Sequence, residues 1–381
     1  MAGARALPPL MIVLFHFSEG HHYSGLPWLD LAVTRGYLWV EFFFVLSGFI
    51  LTHVYGAKLA QLFSRRGYKD FLRARLIRLY PLHLAVLLIL AAQLALVRML
   101  AHAGGYGSIY DIIYHPNMSL KGFVLSVLMV HSWNTMNTLT WNGASWFVSV
   151  EFALCLLFPL FVWLAHGKTW RGFALVATGL AGVILLDLTS KHGLDITFQN
   201  GVLRGLSDFA VGVGLAVLFR SARTAIIPAF VHSGLQLILL GTLGLAIYDT
   251  GWSHTRLDIF TVLPIMALVF ALAFDKGLLA EALKTRLPQM LGVWSYAIYM
   301  GQTVWLQAIR VFEQRLYPTP DTMVAGTRFS TLIWWLEPAL LVLVCIGWGA
   351  ALATGIEHPA TAFLKRHFAA KLDRPLAATP S

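Results

Sequence analysis

Apolar residues run along this chain in long unbroken blocks, separated by short clusters of charge. They do not alternate with polar residues at the strand period, nor do they form the narrow stripe of a surface helix. The blocks cover residues 6–18, 36–56, 79–101, 144–165, 171–188, 201–219, 225–248, 257–274, 289–311 and 331–354. Several reach the roughly 20 residues that a helix needs to cross a bilayer core. The pattern therefore predicts ten membrane-spanning helices. An eleventh segment, 119–133 (SLKGFVLSVLMVHSW), is short, carries Lys121 and His131, and is followed by the polar stretch Asn134–Asn142.

The distribution of Lys and Arg decides how to treat that segment, because cytoplasmic loops are enriched in both. With ten spans and a cytoplasmic N-terminus, 19 of the 28 basic residues fall inside. If 119–133 also crosses, everything after it flips and the split becomes 14 against 14. Ten spans are expected, with both termini cytoplasmic and 119–133 re-entrant or lying along the outer face. Irregular backbone at membrane depth is tolerated only against protein or a water-filled cavity.

Composition agrees. Of 381 residues, 58% are hydrophobic and 12% charged, and the mean hydropathy is +0.70. Soluble domains carry about 25% charge, so the fold class is all-α, polytopic and membrane-integral. The net charge of +10 sits in short loops, which points to topology and anionic lipid headgroups rather than nucleic acid. Cys155 and Cys345 lie inside apolar runs and give neither a disulfide framework nor metal-ligand spacing. No basic leader or small-residue cleavage site precedes the first run, which is read as a span rather than a signal peptide. No repeat or long linker divides the chain. Residues 1–369 are expected to form one transmembrane domain, and 370–381 a disordered cytoplasmic tail.

Ionisable residues at membrane depth carry the chemistry in such a protein. Arg5 precedes His16 by eleven residues; on a helix they share one face to within about 20° and stand about 16 Å apart. Pro8 and Pro9 suit a first turn, so the helix is expected to begin at Pro8 with Arg5 on an extended lead-in. Glu41 and the pair Ser47–Gly48 interrupt the second run. Ser-Gly permits close helix contact and also close approach of a ligand. Arg75 and Arg78 lie three apart, on one face at the end of the third span, and guanidinium suits phosphate; both also fit simple membrane anchoring. Trp146, Ser149 and Glu151 open the fourth span. His21 and His22 are adjacent loop residues with no chelating spacing, and no metal site is expected. No HExxH, P-loop or GxSxG motif is present.

Taken in order, these blocks resemble acyltransferase family three, the bacterial membrane O-acyltransferases of surface glycans. RALPPLMIVLFH is similar to that family's Arg-ten residues-His signature, at Arg5 and His16. GYLWVEFFFVLSGFIL resembles its acidic, Phe-rich, Ser-Gly-Phe stretch. FLRARLIRLYPLH resembles its Arg-rich element ending in Pro. SWFVSVEF resembles its Trp…Ser-Val-Glu block. RGLSDFAVGVGLA, LGVWSYAIYM and IEHPA resemble weaker later blocks. Two departures stand out: Gln302 occupies a position where the family often has His, and Phe-Val-Ser replaces Ser-Leu-Ser before Glu151. The chain resembles a stand-alone member without the fused SGNH-type esterase domain.

The resemblance implies transfer of an acyl group, commonly acetyl from acetyl-CoA, to a hydroxyl of an exported carbohydrate at the bacterial inner membrane. It implies Arg5, Arg75 and Arg78 for the CoA phosphates, with Ser47, Gly48 and Trp146 lining the substrate path. His16 is then the general base, and Glu151 or Glu41 fixes its tautomer or binds the acceptor. Direct attack by the sugar hydroxyl is the expected route; an acyl-His intermediate is the variant, and succinyl-CoA an alternative donor. Two other readings use the same residues: a proton-coupled or lipid-linked glycan transporter, and a non-catalytic membrane scaffold.

Overall fold

The computed structural model describes residues 3–18, 33–104, 118–223, 227–252, 258–316 and 333–372. All ten predicted runs are helical. They are α1 (Leu7–Ser18), α2 (Trp39–Tyr55), α3 (Arg65–Gly104), α5 (Trp146–Ala165), α6 (Thr169–Thr189), α7 (Gly201–Ala222), α8 (Ala229–Trp252), α9 (Ile259–Ala273), α10 (Arg286–Leu316) and α11 (Ile333–Leu352). The described residues also hold the short α4 (Leu120–Val127), two five-residue helices, Leu59–Phe63 and Leu278–Ala282, and the terminal α12 (His358–Leu372). The described residues contain no strand. Among the described residues, seven helices are long and apolar enough to cross a membrane. The other three predicted spans are α1, at 12 residues, α9, at 15, and α10, whose length carries Gln289, Ser295, Tyr296, Tyr299 and Gln302.

The helix opens at Leu7 rather than Pro8, which puts both prolines in its first turn. There their missing N–H groups cost nothing. Arg5 ends a 3-10 turn, Gly3–Arg5, instead of an extended lead-in. Of the expected tail, Ala370–Leu372 close α12; the remainder, like His21 and His22, lies outside the described residues.

Segment 119–133 does not form a span. Ser119 caps α4 by accepting from the Gly122 N–H at 3.0 Å, and Met129 ends it in the left-handed region at φ 55°. Eight residues rise only about 12 Å. The backbone after α4 is irregular but held by protein. The Ser132 N–H donates to Ser149 Oγ, Trp133 Nε1 donates to Ser149 O, and the His83 ring bonds Ser126 O at 2.7 Å. That is the condition under which non-helical chain survives at membrane depth.

Burial separates inner from outer helices. Protein covers 72% of the apolar window of α2 and 61% of that of α7, but only 22% in α6 and α8. Phe173, Leu185 and Leu188 on α6, and Phe230, Ile238 and Leu245 on α8, are exposed; such faces suit lipid. At the centre α2 and α7 touch backbone to backbone. A Cβ on Gly48 would stand 2.4 Å from Phe209 O, and one on Gly212 would stand 2.0 Å from Val45 O. Gly48 is therefore a packing residue, as small residues at membrane helix contacts usually are.

One guanidinium fastens this centre. Arg204 of α7, 1% exposed, pairs with Glu41 of α2, 0% exposed; its Nε donates to Glu41 Oε1 at 2.6 Å. Its other nitrogens donate to Ile196 O (3.0 Å) and Tyr37 O (3.1 Å), and its plane lies 5.3 Å from the Trp146 ring centre. Removing one partner of a buried ion pair costs about 3–5 kcal/mol, because the other charge is left stranded. Arg204→Met is therefore expected to lower the unfolding free energy by about that amount in detergent-solubilised protein. Adding Glu41→Leu should recover part of the loss. A single variant within 1 kcal/mol of the parent would mean that the pair does not hold the bundle.

Candidate functional site

A cavity of about 140 Å³ opens among α2, α3, α5 and α10. Arg5, Arg75, Arg78 and Leu79 line its basic end; Ser295 and Tyr296 stand beside them; Ser47 and Glu151 lie deeper; and Phe43, Phe147 and Tyr299 close the far end. Helix geometry explains the gathering. Arg75, Arg78 and Leu79 stand on neighbouring positions of α3, one turn apart. The 3-10 turn delivers Arg5 against the start of α10. Ser295, Tyr296 and Tyr299 occupy adjacent ridge positions on α10.

The charges are unevenly matched. Ser47 Oγ donates to Glu151 Oε1 at 2.5 Å, while Glu151 Oε2 has no hydrogen-bond partner. Arg78 pairs with Glu357 and lies 5.5 Å from the Tyr296 ring centre. Glu357 sits on a π turn, Ala353–Glu357, between α11 and α12. Arg75 rests near the rings of Tyr55 and Phe71, each at 5.9 Å, and its Nε has no hydrogen-bond partner. Neither Arg5 nor Arg75 forms an ion pair among the described residues. Burial pushes the Arg5 guanidinium down from its ordinary pKa; Arg78 and Arg75 act in the same sense and Glu151 against it. A site with cations in this excess is built to receive an anion.

The far wall is aromatic. Phe43 and Phe147 ring centres are 5.7 Å apart, Phe43 and Tyr299 6.2 Å, and Phe147 and Tyr299 5.6 Å. The buried Tyr299 hydroxyl has no hydrogen-bond partner. His16 does not line the cavity. It stands beyond the trio, where its Nδ1 meets Gln302 Oε1 at 3.2 Å. Gln302 is one turn past Tyr299 on α10, about 4.5 Å further along the axis. Arg5 and His16 both lie against α10, but Arg5 stands on the 3-10 turn rather than on α1, so they do not share a helical face.

Beyond His16, Asp195 in the loop after α6 reaches solvent but is crowded on its inner side. Lost hydration raises its carboxyl above the usual range, and Arg204, His16 and His192 oppose that rise.

The structure thus brings together Arg5, Arg75, Arg78, Ser47 and Glu151. It places Glu41 and Trp146 around Arg204, Gly48 in the α2–α7 contact, and His16 on Gln302. Glu151 partners Ser47, so neither expected acid touches the His16 ring: its partner is an amide. Sequence reasoning missed Glu357, Tyr296, Tyr299 and Asn142. Glu357 lies in the IEHPA block and Tyr296 and Tyr299 in LGVWSYAIYM, so the blocks were a signal, though not of roles. No cluster of metal-ligating side chains occurs among the described residues.

Residues 2–354 match the family model described as an acyltransferase domain. Acyltransferase MdmB of Streptomyces mycarofaciens is 25% identical over 406 residues, covering 100% of this chain and 94% of that protein. Protein 2 in the picA locus of Rhizobium radiobacter is 36% identical over 118 residues, 31% of this chain and 59% of that protein. No solved structure matches.

Cys155 and Cys345 are 0% and 1% exposed, so a single new thiol reports on the cavity alone. Ser47→Cys protein in detergent is expected to react with a small charged thiosulfonate, while the parent stays unmodified. Equal inertness of both would mean that the cavity is closed to water.

Proposed function

The chain belongs to this acyltransferase family, and on that premise we propose that it moves an acyl group from a coenzyme A thioester to a carbohydrate hydroxyl. The observation that carries the reading is the cavity with three guanidiniums and one carboxylate held by a hydroxyl. Coenzyme A is a polyanion ending in a thin, flexible arm. Its phosphates suit Arg5, Arg75 and Arg78, and its arm suits a narrow path along Ser47, Glu151 and Ser295. The basic end then faces the cytoplasm, where the donor is made, in agreement with the bias of Lys and Arg along the chain. The far end faces outward, in a bacterial inner membrane.

The path leads toward His16, which stands about 14 Å of helical rise beyond Leu7, where α1 opens. The thioester reaches it when Phe43, Phe147 and Tyr299 part. There an acceptor hydroxyl attacks the thioester carbonyl directly. The new C–O bond forms, His16 Nε2 takes the hydroxyl proton, the C–S bond breaks, and the thiolate recovers the proton from the imidazolium. A neutral imidazole suits this exchange near neutral pH. Acetyl is the donor group this reading favours. Glu151 and Ser47 hold the arm, and Glu41 acts through Arg204 on the bundle itself.

Two expectations test this. His16→Gln should reduce acyl transfer from acetyl-CoA to membrane glycan by about 10²- to 10⁴-fold, the usual worth of a general base. Arg75→Gln should raise the KM for acetyl-CoA with a smaller change in kcat. Full activity of His16→Gln would remove the base from the reading. Unaltered acetylation of surface glycan in cells lacking the chain would remove the acceptor class.

A further inference from the structure

His16 depends on a neighbour whose own hydrogen bonds leave no choice about its proton. Gln302 is 0% exposed. Its Nε2 donates to Tyr299 O at 2.9 Å. A carbonyl can only accept, so the amide nitrogen must face Tyr299 and the amide oxygen must face His16. That oxygen also can only accept. The 3.2 Å contact with His16 Nδ1 therefore requires the ring proton to be on Nδ1. The Nε2 lone pair is then left free.

From this geometry we infer that Gln302 is a positioning residue: it holds His16 as the Nδ1–H tautomer and turns Nε2 toward the acceptor hydroxyl. The inference rests on the reading of His16 as the base. It explains why an amide suffices where an acid was expected. A neutral acceptor orders the ring without adding a negative charge, which would favour the inactive imidazolium.

The turn bearing Gln302 is itself fastened from outside α10. Asn142, 1% exposed, donates from Nδ2 to Met300 O at 3.1 Å and accepts from Thr303 Oγ1 at 2.7 Å. Its carbonyl accepts from Ser145 Oγ at 2.7 Å, and that hydroxyl contacts His131 Nε2 at 3.0 Å. The irregular segment after α4 thus clamps the residues on both sides of Gln302, and Asn142 is a second positioning residue, acting through that turn.

Few charges compete with Gln302 for control of the ring. Asp195 approaches from the loop after α6, with Arg204 behind it. On the α2 side, Tyr37 packs against Phe15, which in turn packs against His16; the Tyr37 hydroxyl accepts from Arg35 and donates to Asp258, and those two charges pair with each other. From α10 the described contact at this level is the neutral amide of Gln302.

The test uses full-length protein in lipid nanodiscs with ¹⁵N-labelled histidine, the His16 signal being the one lost in His16→Gln. The parent should show the Nδ1–H tautomer, and Gln302→Met a mixture with Nε2–H. Gln302→Glu, which adds a charge at the same atoms, should move the His16 titration midpoint up by a unit or more. The acidic limb of the pH–rate profile for thiol release from acetyl-CoA should move up with it, because the base must lose its proton to act. Gln302→Met should lower kcat at least tenfold with little change in KM for acetyl-CoA.

An Nε2–H tautomer in the parent, or an unmoved midpoint in Gln302→Glu, overturns the inference whether or not the protein turns over. Activity that survives in His16→Gln overturns the underlying role of His16 instead, while the tautomer measurement still reports on Gln302.

Discussion

A single cation sealed between helices sets the geometry on which everything else stands. Arg204 cannot be left unpaired in a bundle solvated by lipid, where a charge at mid-depth costs several kcal/mol. It is satisfied from four directions: by Glu41 on α2, by the backbone at Tyr37 and Ile196, and by the face of Trp146 at the head of α5. Those contacts lock α2, α5 and α7 in mutual register. Ser47 follows from α2 and Glu151 from α5, and their hydrogen bond inherits its alignment from the pair above it. Asp208, one turn along α7, is likewise fully buried.

The bundle divides its polar groups into two stations. At the basic end, cations exceed anions and one carboxylate is held by a hydroxyl. At the other, an imidazole is held by a neutral amide with few charges nearby. Aromatic rings stand between the two. Such a separation suits a reaction whose two substrates come from opposite sides of a membrane. On the reading proposed above, a highly charged donor would be anchored at the first station and bond exchange would take place at the second, where ordered dipoles count for more.

Much of this was legible in the chain. Each predicted apolar run is helical, and the charge argument correctly denied segment 119–133 a crossing of its own. Arg5, Arg75, Arg78, Ser47 and Glu151 were chosen from local motifs, and they share one cavity. What was not legible depends on distance along the chain. The bond between His16 and Gln302 links residues 286 apart, and Asn142 reaches Met300 across 158. A glutamine or asparagine in an apolar helix is indistinguishable, residue by residue, from one that merely packs. The aromatic trio is similarly silent, since phenylalanines in a lipid-facing run carry no mark of facing inward. Glu41 shows the reverse error: an acid at a suggestive position is occupied by Arg204, and a sequence cannot reveal that two charges have already consumed each other.

The π turn that carries Glu357 gives the cavity a threshold. Its carboxylate holds Arg78, so on the proposed reading a guest that takes Arg78 would have to evict a tethered rival. Effective affinity falls by the fraction of time that the rival is seated. A lone inorganic anion, engaging one guanidinium, gains little beyond what it displaces. A molecule with several phosphates can seize Arg5 and Arg75 first and contest Arg78 from there. A built-in competitor therefore filters by multivalency, favouring guests that make several contacts over the far more abundant small ions of the cell.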